Sequence, residues 1–447
     1  MLEVLAAESR DAPLKGVIVQ FGGQTPLERV PALEGAGIPI LGTPPRSLDI
    51  TEDRAQFQRL LQRLGLEQPP NGTAHTLADA RKVLERIGYP AVIRPSYVLG
   101  GRAMEIVHTE AELKRYWRAE HAADPHAPIL LDHYLQQAVE LDVEVLSDGT
   151  SHYVAGILQH IEEAGVHSGD SACVLPPHDL SDALQAEIRR QSCLLAQALK
   201  VCGLMNVQYA IRDGRVYVLE VNARASRTIP FVGKVMGAAL PNLATQLMLG
   251  ETLKSLSLKP PHYHGFAVKE AVLPFARFAN MDTLLGPEMR STGEAIGWDD
   301  TFALAYAKSQ QASQTALPQK GCVFISVRDA DKPAARALAE QLTAHGLSVL
   351  ATRGTATFLR DGGVKAGIIN KVREGSPHIV DALNAGKVQL LFNTTSGAQA
   401  IEDSKSIRRT ALMLRLPYCT TLAAAQASTQ AILAAREGAG RIRKLQA

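Results

Sequence analysis

Apolar positions recur along this chain with two different periods, and the architecture changes where the period changes. The run 16–21 is apolar almost throughout and reads as a buried strand. Gly22 and Gly23 make a tight turn after it, and Pro26 suits the first turn of a helix. That helix runs to about Gly37 and leads into a strand over 38–42. No earlier strand brings its own glycine turn, so this first unit reads as the tail of a strand–helix–strand arrangement, truncated at its front.

From 53 to 64 the period is helical, with Phe57, Leu60, Leu61 and Leu64 on one face, and 77–87 is a second helix ended by Gly88. Strands are expected over 91–94 and 104–107, a helix over 111–122, then strands over 128–131, 141–146 and 153–161. A long helix over 184–201 precedes two strands, 205–211 and 216–221, that complete an antiparallel sheet. This middle part is α+β, the sheet offering a concave face. A polar run over 309–319, ending near Pro318, reads as a linker. Beyond it strands (322–327, 347–351, 366–369, 388–392) alternate with helices (333–345, 356–359, 377–385, 404–416), the pattern of an open parallel α/β sheet. Three units follow: 1–48, 49–312 and 313–447.

Charge and composition narrow the function. Among 447 residues, 47 basic and 45 acidic side chains leave a net charge of +2, which argues against nucleic-acid binding. Five cysteines are scattered without a C-x-x-C pair, so neither a disulfide framework nor a zinc site is expected. The expectation is a cytoplasmic protein in a reducing compartment, with no secretory signal and no membrane span.

The strongest chemical signal is Gln208, Glu220 and Asn222 on consecutive strands. Glu220 and Asn222 are two apart and share a face. A three-residue loop with Gly214 left-handed would set Gln208 opposite Glu220, whereas a strict two-residue turn would set it opposite Leu219. Three oxygen-bearing side chains on one face suit a hard cation such as magnesium. The alternative, a solvated polar face, sits poorly with Val218, Leu219 and Val221 beside them.

Arg94 ends a buried strand, and Gly100 and Gly101 follow it, a loop that can fold over phosphates. Glu162, Gly165, Val166, His167, Ser168, Gly169, Asp170 and Ser171 form a polar loop of the kind that carries sites. Arg224 and Arg227 add cations beside the carboxylate, as a transferring phosphoryl group requires. In the last unit Thr352, Thr355, Asn393 and Thr395 follow strands, where open parallel sheets bind ligands, and Lys332 and Lys371 can supply countercharge.

In this order, segments 17–26 (VIVQFGGQTP), 94–105 (RPSYVLGGRAME), 164–173 (AGVHSGDSAC), 203–208 (GLMNVQ), 219–222 (LEVN), 285–293 (LGPEMRSTG) and 393–397 (NTTSG) resemble the carboxy-terminal half of the carbamoyl-phosphate synthase large subunit. The resemblance implies an ATP-grasp fold, preceded by a partial pre-ATP-grasp unit and followed by a methylglyoxal-synthase-like domain. It implies ATP contacts from Arg94, His133, Leu135, Glu140, Gly165, Val166, His167, Ser168, Gln208 and Glu220, and Mg²⁺ or Mn²⁺ held by Gln208, Glu220 and Asn222. Arg224 and Arg227 would face carbamate and the transferring phosphoryl, with Asn222 beside them. The implied reaction is phosphorylation of carbamate by ATP, serving arginine and pyrimidine biosynthesis. The implied partners are a glutaminase small subunit and the amino-terminal half of the large subunit, which lies outside this chain.

The same resemblance makes Lys332, Thr352, Thr355, Lys371, Asn393 and Thr395 a nucleotide-effector site for UMP or IMP. It matches Glu162, Asp170, Glu270, Tyr418 and Thr420 to an ornithine site. Cys419 departs from the pattern, which has aspartate between Tyr and Thr, and a thiol gives no anionic partner to an amine. Two other readings compete: a catalytically incomplete effector-binding module, and a different ligase joining an acid and an amine. The loop 165–170 and the last domain weigh against the second of these.

Overall fold

The computed structural model describes residues 1–95, 104–120, 128–275, 283–286, 288–395 and 398–437. A helix over Leu2–Asp11 opens the chain, and its one half-buried side chain, Leu5, packs on a small core. Strand β1 (Val17–Ile18) runs parallel to β2 (Ile40–Leu41), both shorter than the apolar runs that contain them. Two short helices, Gln24–Leu27 and Val30–Gly35, stand where one was expected. Val19, Val30, Leu33 and Leu48 close a small core that also takes in Ala223 from far along the chain.

Strands β3 (Asn71–Ala74), β4 (Ala91–Pro95), β5 (Glu105–Val107) and β6 (Ile129–His133) form an antiparallel sheet in the order β3-β6-β4-β5. Helices Leu77–Ile87 and Glu110–Glu120 supply Leu84, Ile87, Leu113 and Trp117 to its core. The first of these begins where the Thr76 hydroxyl accepts the Asp79 N–H at 3.1 Å, satisfying one of the free donors of a helix start.

A larger sheet is built from β7 (Val139–Asp148), β8 (His152–His160), β9 (Cys173–Leu175), β10 (Cys202–Arg212), β11 (Arg215–Asn222), β12 (Phe266–Val272) and β13 (Gly293–Asp299). Its order is β11-β10-β7-β8-β9-β12-β13, with every pairing antiparallel. Strands β12 and β13 were not expected, since charged residues such as Lys269 and Glu270 interrupt the apolar run. Helix Asp182–Ala198 covers one face, setting Ile188, Leu195 and Ala196 against Val143, Val145 and Val207. The opposite face carries Glu140, Asp142, Asn206, Gln208, Glu220 and Asn222 into a cleft whose far wall includes Val92 and Arg94 of the smaller sheet.

The polar run 309–319, which reads as a linker, is helical in its first part, because helix Phe302–Ala312 includes Ser309 and Gln310. Both are buried with partners: Ser309 Oγ donates to the Tyr306 carbonyl at 2.9 Å, and Gln310 Nε2 to Glu270 at 2.6 Å. Polarity misleads here, since a hydrogen-bonded amide or hydroxyl is tolerated inside.

The last sheet comprises β14 (Cys322–Ser326), β15 (Ser348–Thr352), β16 (Ala366–Ile369), β17 (Leu390–Asn393) and β18 (Tyr418–Cys419). It is wholly parallel in the order β16-β15-β14-β17-β18. Val323 and Ile325 face helices Lys332–Ala344, Arg353–Asp361 and Leu422–Glu437. Phe324 faces Ile379–Asn384 and Lys405–Met413. Helix Leu422–Glu437 also packs Ala427 and Ala431 against Phe302, Ala305 and Tyr306, joining this sheet to the rest.

Candidate active site

The hairpin between β10 and β11 decides which side chains reach the cleft. Arg212 pairs with Arg215, leaving only Asp213 and Gly214 in the turn, with φ of 51° and 74°. This is a two-residue turn with both residues left-handed, so the expected three-residue loop is absent. Gln208 nevertheless lies opposite Glu220, because the register shifts between Gln208 and Tyr209, and Tyr209 pairs with Val218. Leu219 is the extra residue of a β-bulge.

That bulge has a chemical consequence. Val216 and Val218 point into the core under helix Asp182–Ala198, and strict alternation would send Glu220 after them. With Leu219 inserted, Glu220 and Asn222 turn to the cleft while Val221 returns to the core. Leu219 itself packs beside Leu135, Ala138, Ala164 and Ala210.

All the candidate nucleotide, metal and carbamate residues line one cavity of about 640 Å³. Arg94, His133 and Leu135 come from the smaller sheet and the loop after it. Glu140 and Gln208 rise from the larger sheet with Glu220 and Asn222, and Arg224 and Arg227 follow β11 directly. Gly165, Val166, His167 and Ser168 close one side. Gly165 has φ of 96°, and an added Cβ would come within 3.2 Å of Ile106 and Tyr134, so this turn is restricted to glycine. Its N–H donates to Glu140 Oε1 at 3.0 Å. Gly100 and Gly101 lie outside the described residues.

Asn222 Nδ2 donates to Glu220 Oε1 at 2.9 Å, which turns the Asn222 carbonyl away from the carboxylate. Gln208 Nε2 lies 3.4 Å from Asp142 Oδ1 and 3.3 Å from Ser168 Oγ. Among the described residues no trio of His, Cys, Asp or Glu gathers to hold a metal. A cation here would rest on one carboxylate, two amide oxygens and the oxygens of a bound phosphate, a donor set that suits magnesium. The residues fit such an ion.

Several side chains shaping the cavity were not anticipated. Arg54, ion-paired with Asp132, has its guanidinium pushed down to about 9 by burial and by Arg94, with Glu220 pulling the other way. Its position after the Asp53 N-cap made it look like an ordinary first-turn residue. Behind Gln208, Asp142 Oδ2 lies 2.8 Å from His160 Nε2. Burial would raise the Asp142 carboxyl, but His160 and Asn206 outweigh it and hold it below its ordinary range. Burial would likewise neutralise His160, but Cys173 and Asp142 hold it well above its usual value. Burial raises Glu140 despite His160 and the Gly165 N–H. His167 is lowered by burial, and its Nδ1 accepts the Gly169 N–H at 3.0 Å, so that nitrogen is engaged in holding the loop.

In the last domain Thr352 and Asn393 end strands β15 and β17, Thr355 and Thr395 lie just beyond, and Lys332 and Lys371 follow the neighbouring strands β14 and β16. The carboxyl ends of the parallel sheet therefore gather them on one edge. Thr352 makes no side-chain cap to its helix, and its hydroxyl lies 3.1 Å from Ser326 Oγ instead. Asn393 donates to the Ser326 carbonyl and accepts from Tyr418, both held at the strand ends. Lys332 Nζ lies 2.7 Å from Asp329. Ser396 and Gly397 fall outside the described residues.

Residues 53–256 match the family described as carbamoyl-phosphate synthase L chain, ATP binding domain, and residues 335–420 match the MGS-like domain. The carbamoyl phosphate synthase large chains of Mesorhizobium japonicum and Brucella melitensis are 52% and 50% identical over the whole of this chain. The chain belongs to the carbamoyl-phosphate synthase large-chain family. It spans about 40% of the length of those relatives. The fold is of the ATP-grasp, biotin-carboxylase-like type. It is similar to the biotin carboxylase domain of Hydrogenobacter thermophilus 2-oxoglutarate carboxylase (16% identity, TM-score 0.57, 69% of this chain and 76% of that one). A biotin carboxylase from Campylobacter jejuni gives 16% identity and a TM-score of 0.56 over the same shares. Among the described residues no helix is long and apolar enough to cross a membrane.

Of the residues matched to an ornithine site, Glu162 and Glu270 both lie near Cys419. Asp170 accepts the Arg290 and Ser291 N–H groups, each at 2.8 Å, so both its oxygens are used. Tyr418 donates to Asn393 and so faces the carboxyl ends of the last sheet. Thr420 lies one residue past β18 and is half-buried. Cys419 is buried 3.3 Å from Ser428 Oγ, and burial pushes its thiol up to about 12. Glu162 and Glu270 are half-buried side by side, close enough to feel each other's charge. Burial and the Glu162 charge push Glu270 up to about 8 against Lys269 and Gln310, and burial raises Glu162 too.

A carboxyl raised in the folded state binds its proton longer than in the unfolded chain. Stability therefore falls as pH rises between the ordinary 4.5 and about 8, and levels off above that. Glu270→Gln keeps an acceptor for Gln310 and removes the charge. We expect it to stabilise the fold by a few kcal/mol at pH 8.5 and hardly at all at pH 4.5. Thermal unfolding of both proteins at those two pH values checks this, and an equal gain at both would contradict it.

Proposed function

We propose that the chain is the carbamate-phosphorylating module of a carbamoyl-phosphate synthase, comprising a partial front unit (1–48), an ATP-grasp unit (49–312) and a regulatory unit (313–447). What supports this reading is one convergence: the Gln208, Glu220 and Asn222 oxygens share the cleft face with Arg94, Arg224 and Arg227. Arg94 and Arg54 would clamp the nucleotide phosphates, Leu135 and Leu219 would pack on its base, and the loop 165–168 would cover it. Bound Mg²⁺ or Mn²⁺ would be held by Gln208, Glu220 and Asn222 and would neutralise phosphate oxygens. Arg224 and Arg227 would orient carbamate so that its oxygen meets the γ-phosphoryl, and would balance the charge that spreads over that group. The solved biotin carboxylase structures of this fold hold nucleotide, one of them MgADP, which accords with the assignment.

In this reading carbamate comes from the other half of the large chain and ammonia from a glutaminase subunit. Product serves arginine and pyrimidine synthesis in the cytoplasm. The edge holding Lys332, Thr352, Thr355, Lys371, Asn393 and Thr395 would bind a nucleotide effector, UMP or IMP. Its hydroxyls and lysines suit a phosphate. The partial reverse reaction needs none of these partners. Purified chain with Mg²⁺, ADP and carbamoyl phosphate is expected to form ATP. No ATP alongside intact UMP binding would favour a module that only senses effectors.

A further inference from the structure

Resting on that functional reading, we infer that Glu144 is a positioning residue that sets the arginine-bearing segment 224–227 over the cleft. Glu144 is fully buried on β7, in the middle of the larger sheet. One of its oxygens, Oε1, accepts from three side chains: Asn206 Nδ2 at 2.8 Å, the Ser226 hydroxyl and the Thr228 hydroxyl. Its other oxygen is buried without a partner among the described residues. A buried carboxylate is costly to keep, and hydrophobic packing could fill this place more cheaply. What it holds is specific. Ser226 lies between Arg224 and Arg227, and its hydroxyl also accepts the Thr228 N–H at 3.1 Å, tying the segment to the start of helix Ile229–Met236.

The other side of the segment is held by Gln20 from the front unit. Gln20 Nε2 donates to the Ala223 carbonyl, and the Gln20 carbonyl accepts the Ala225 N–H at 2.9 Å. Arg224 and Arg227 thus sit on a stretch gripped at 223 and 225 from one side and at 226 and 228 from the other. Arg224 Nε is itself buried without a partner among the described residues. A cation-bearing segment on a loop gains precision only through such supports. Neither Glu144 nor Gln20 is among the residues lining the cavity, so each acts through the arginines.

The test measures calorimetric binding of inorganic phosphate to the ADP-saturated chain with Mg²⁺, together with the KM for carbamoyl phosphate in ATP formation. Glu144→Ala is expected to weaken phosphate binding and raise that KM about 10- to 100-fold, leaving ADP affinity within about 2-fold. Glu144→Gln keeps an acceptor oxygen and is expected to stay within about 5-fold of wild type. Ser226→Ala, a milder change that preserves the buried carboxyl, should fall between. Phosphate affinity unchanged in Glu144→Ala would overturn the inference, as would parallel loss of ADP affinity or a Gln variant as impaired as the Ala variant. If wild type forms no ATP yet phosphate binding follows the expected order, the functional reading fails and the positioning role stands.

Discussion

Glu220→Gln is expected to slow ATP formation from ADP and carbamoyl phosphate by about 10²–10³-fold, the cost typical of removing one charge-stabilising group. The substitution is nearly isosteric. Its amide oxygen can still accept from Asn222, so the hairpin register and the bulge at Leu219 should survive. What disappears is the single negative charge among Gln208, Glu220 and Asn222, leaving three neutral amides. A divalent ion then loses its protein countercharge, while Arg54 and Arg94, which lie close enough to feel each other, lose the balancing charge that Glu220 supplies to Arg54. The expected split is a large fall in turnover with little change in urea stability. Turnover within 5-fold of wild type would remove Glu220 from the chemistry.

The second large effect concerns the wall behind the site. Asp142→Ala should destabilise the fold by about 3–5 kcal/mol, because it strands a buried histidinium. Asp142 is 1% exposed and holds His160 at 2.8 Å through one oxygen and Asn206 at 3.1 Å through the other. Its carboxyl sits below 3.8, so its contribution is present above that value and lost as pH falls through the lower folded one. His160 sits above 6.5, so its contribution is complete below 6.5 and lost as pH rises through the higher folded value. The gap between wild type and variant should therefore be largest between about pH 4 and 6.5. Urea unfolding at pH 5.5 measures it, and a difference below about 1 kcal/mol would show that the pair adds no stability.

The two effects differ in how readable they were. Repeated apolar periods made most helices and strands legible, as with Leu77–Ile87, whose Thr76 start and Gly88 end both stand in the sequence. The pairing of Gln208 with Glu220 is the expected one, but the three-residue turn from which the sequence reading derives it is absent. A two-residue turn and a one-residue bulge offset each other, and a bulge leaves no mark in the side-chain alternation except one apolar residue too many. Asp142, His160 and Glu144 are not legible in the sequence because they look like irregularities in strong strands; only the fold shows that their faces meet. Strands β12 and β13 were hidden likewise, since Lys269 and Glu270 find buried partners that local sequence cannot supply.

The proposed function depends on a cation site made jointly by Glu220, its amide neighbours and a nucleotide. Its sharpest test is a titration of Mn²⁺ into the chain with and without ADP, followed by electron paramagnetic resonance. The expected pattern is weak binding to the chain alone, much tighter binding when ADP is present, and loss of most of that gain in Glu220→Gln. Equal Mn²⁺ affinity in wild type and Glu220→Gln with ADP bound would contradict it.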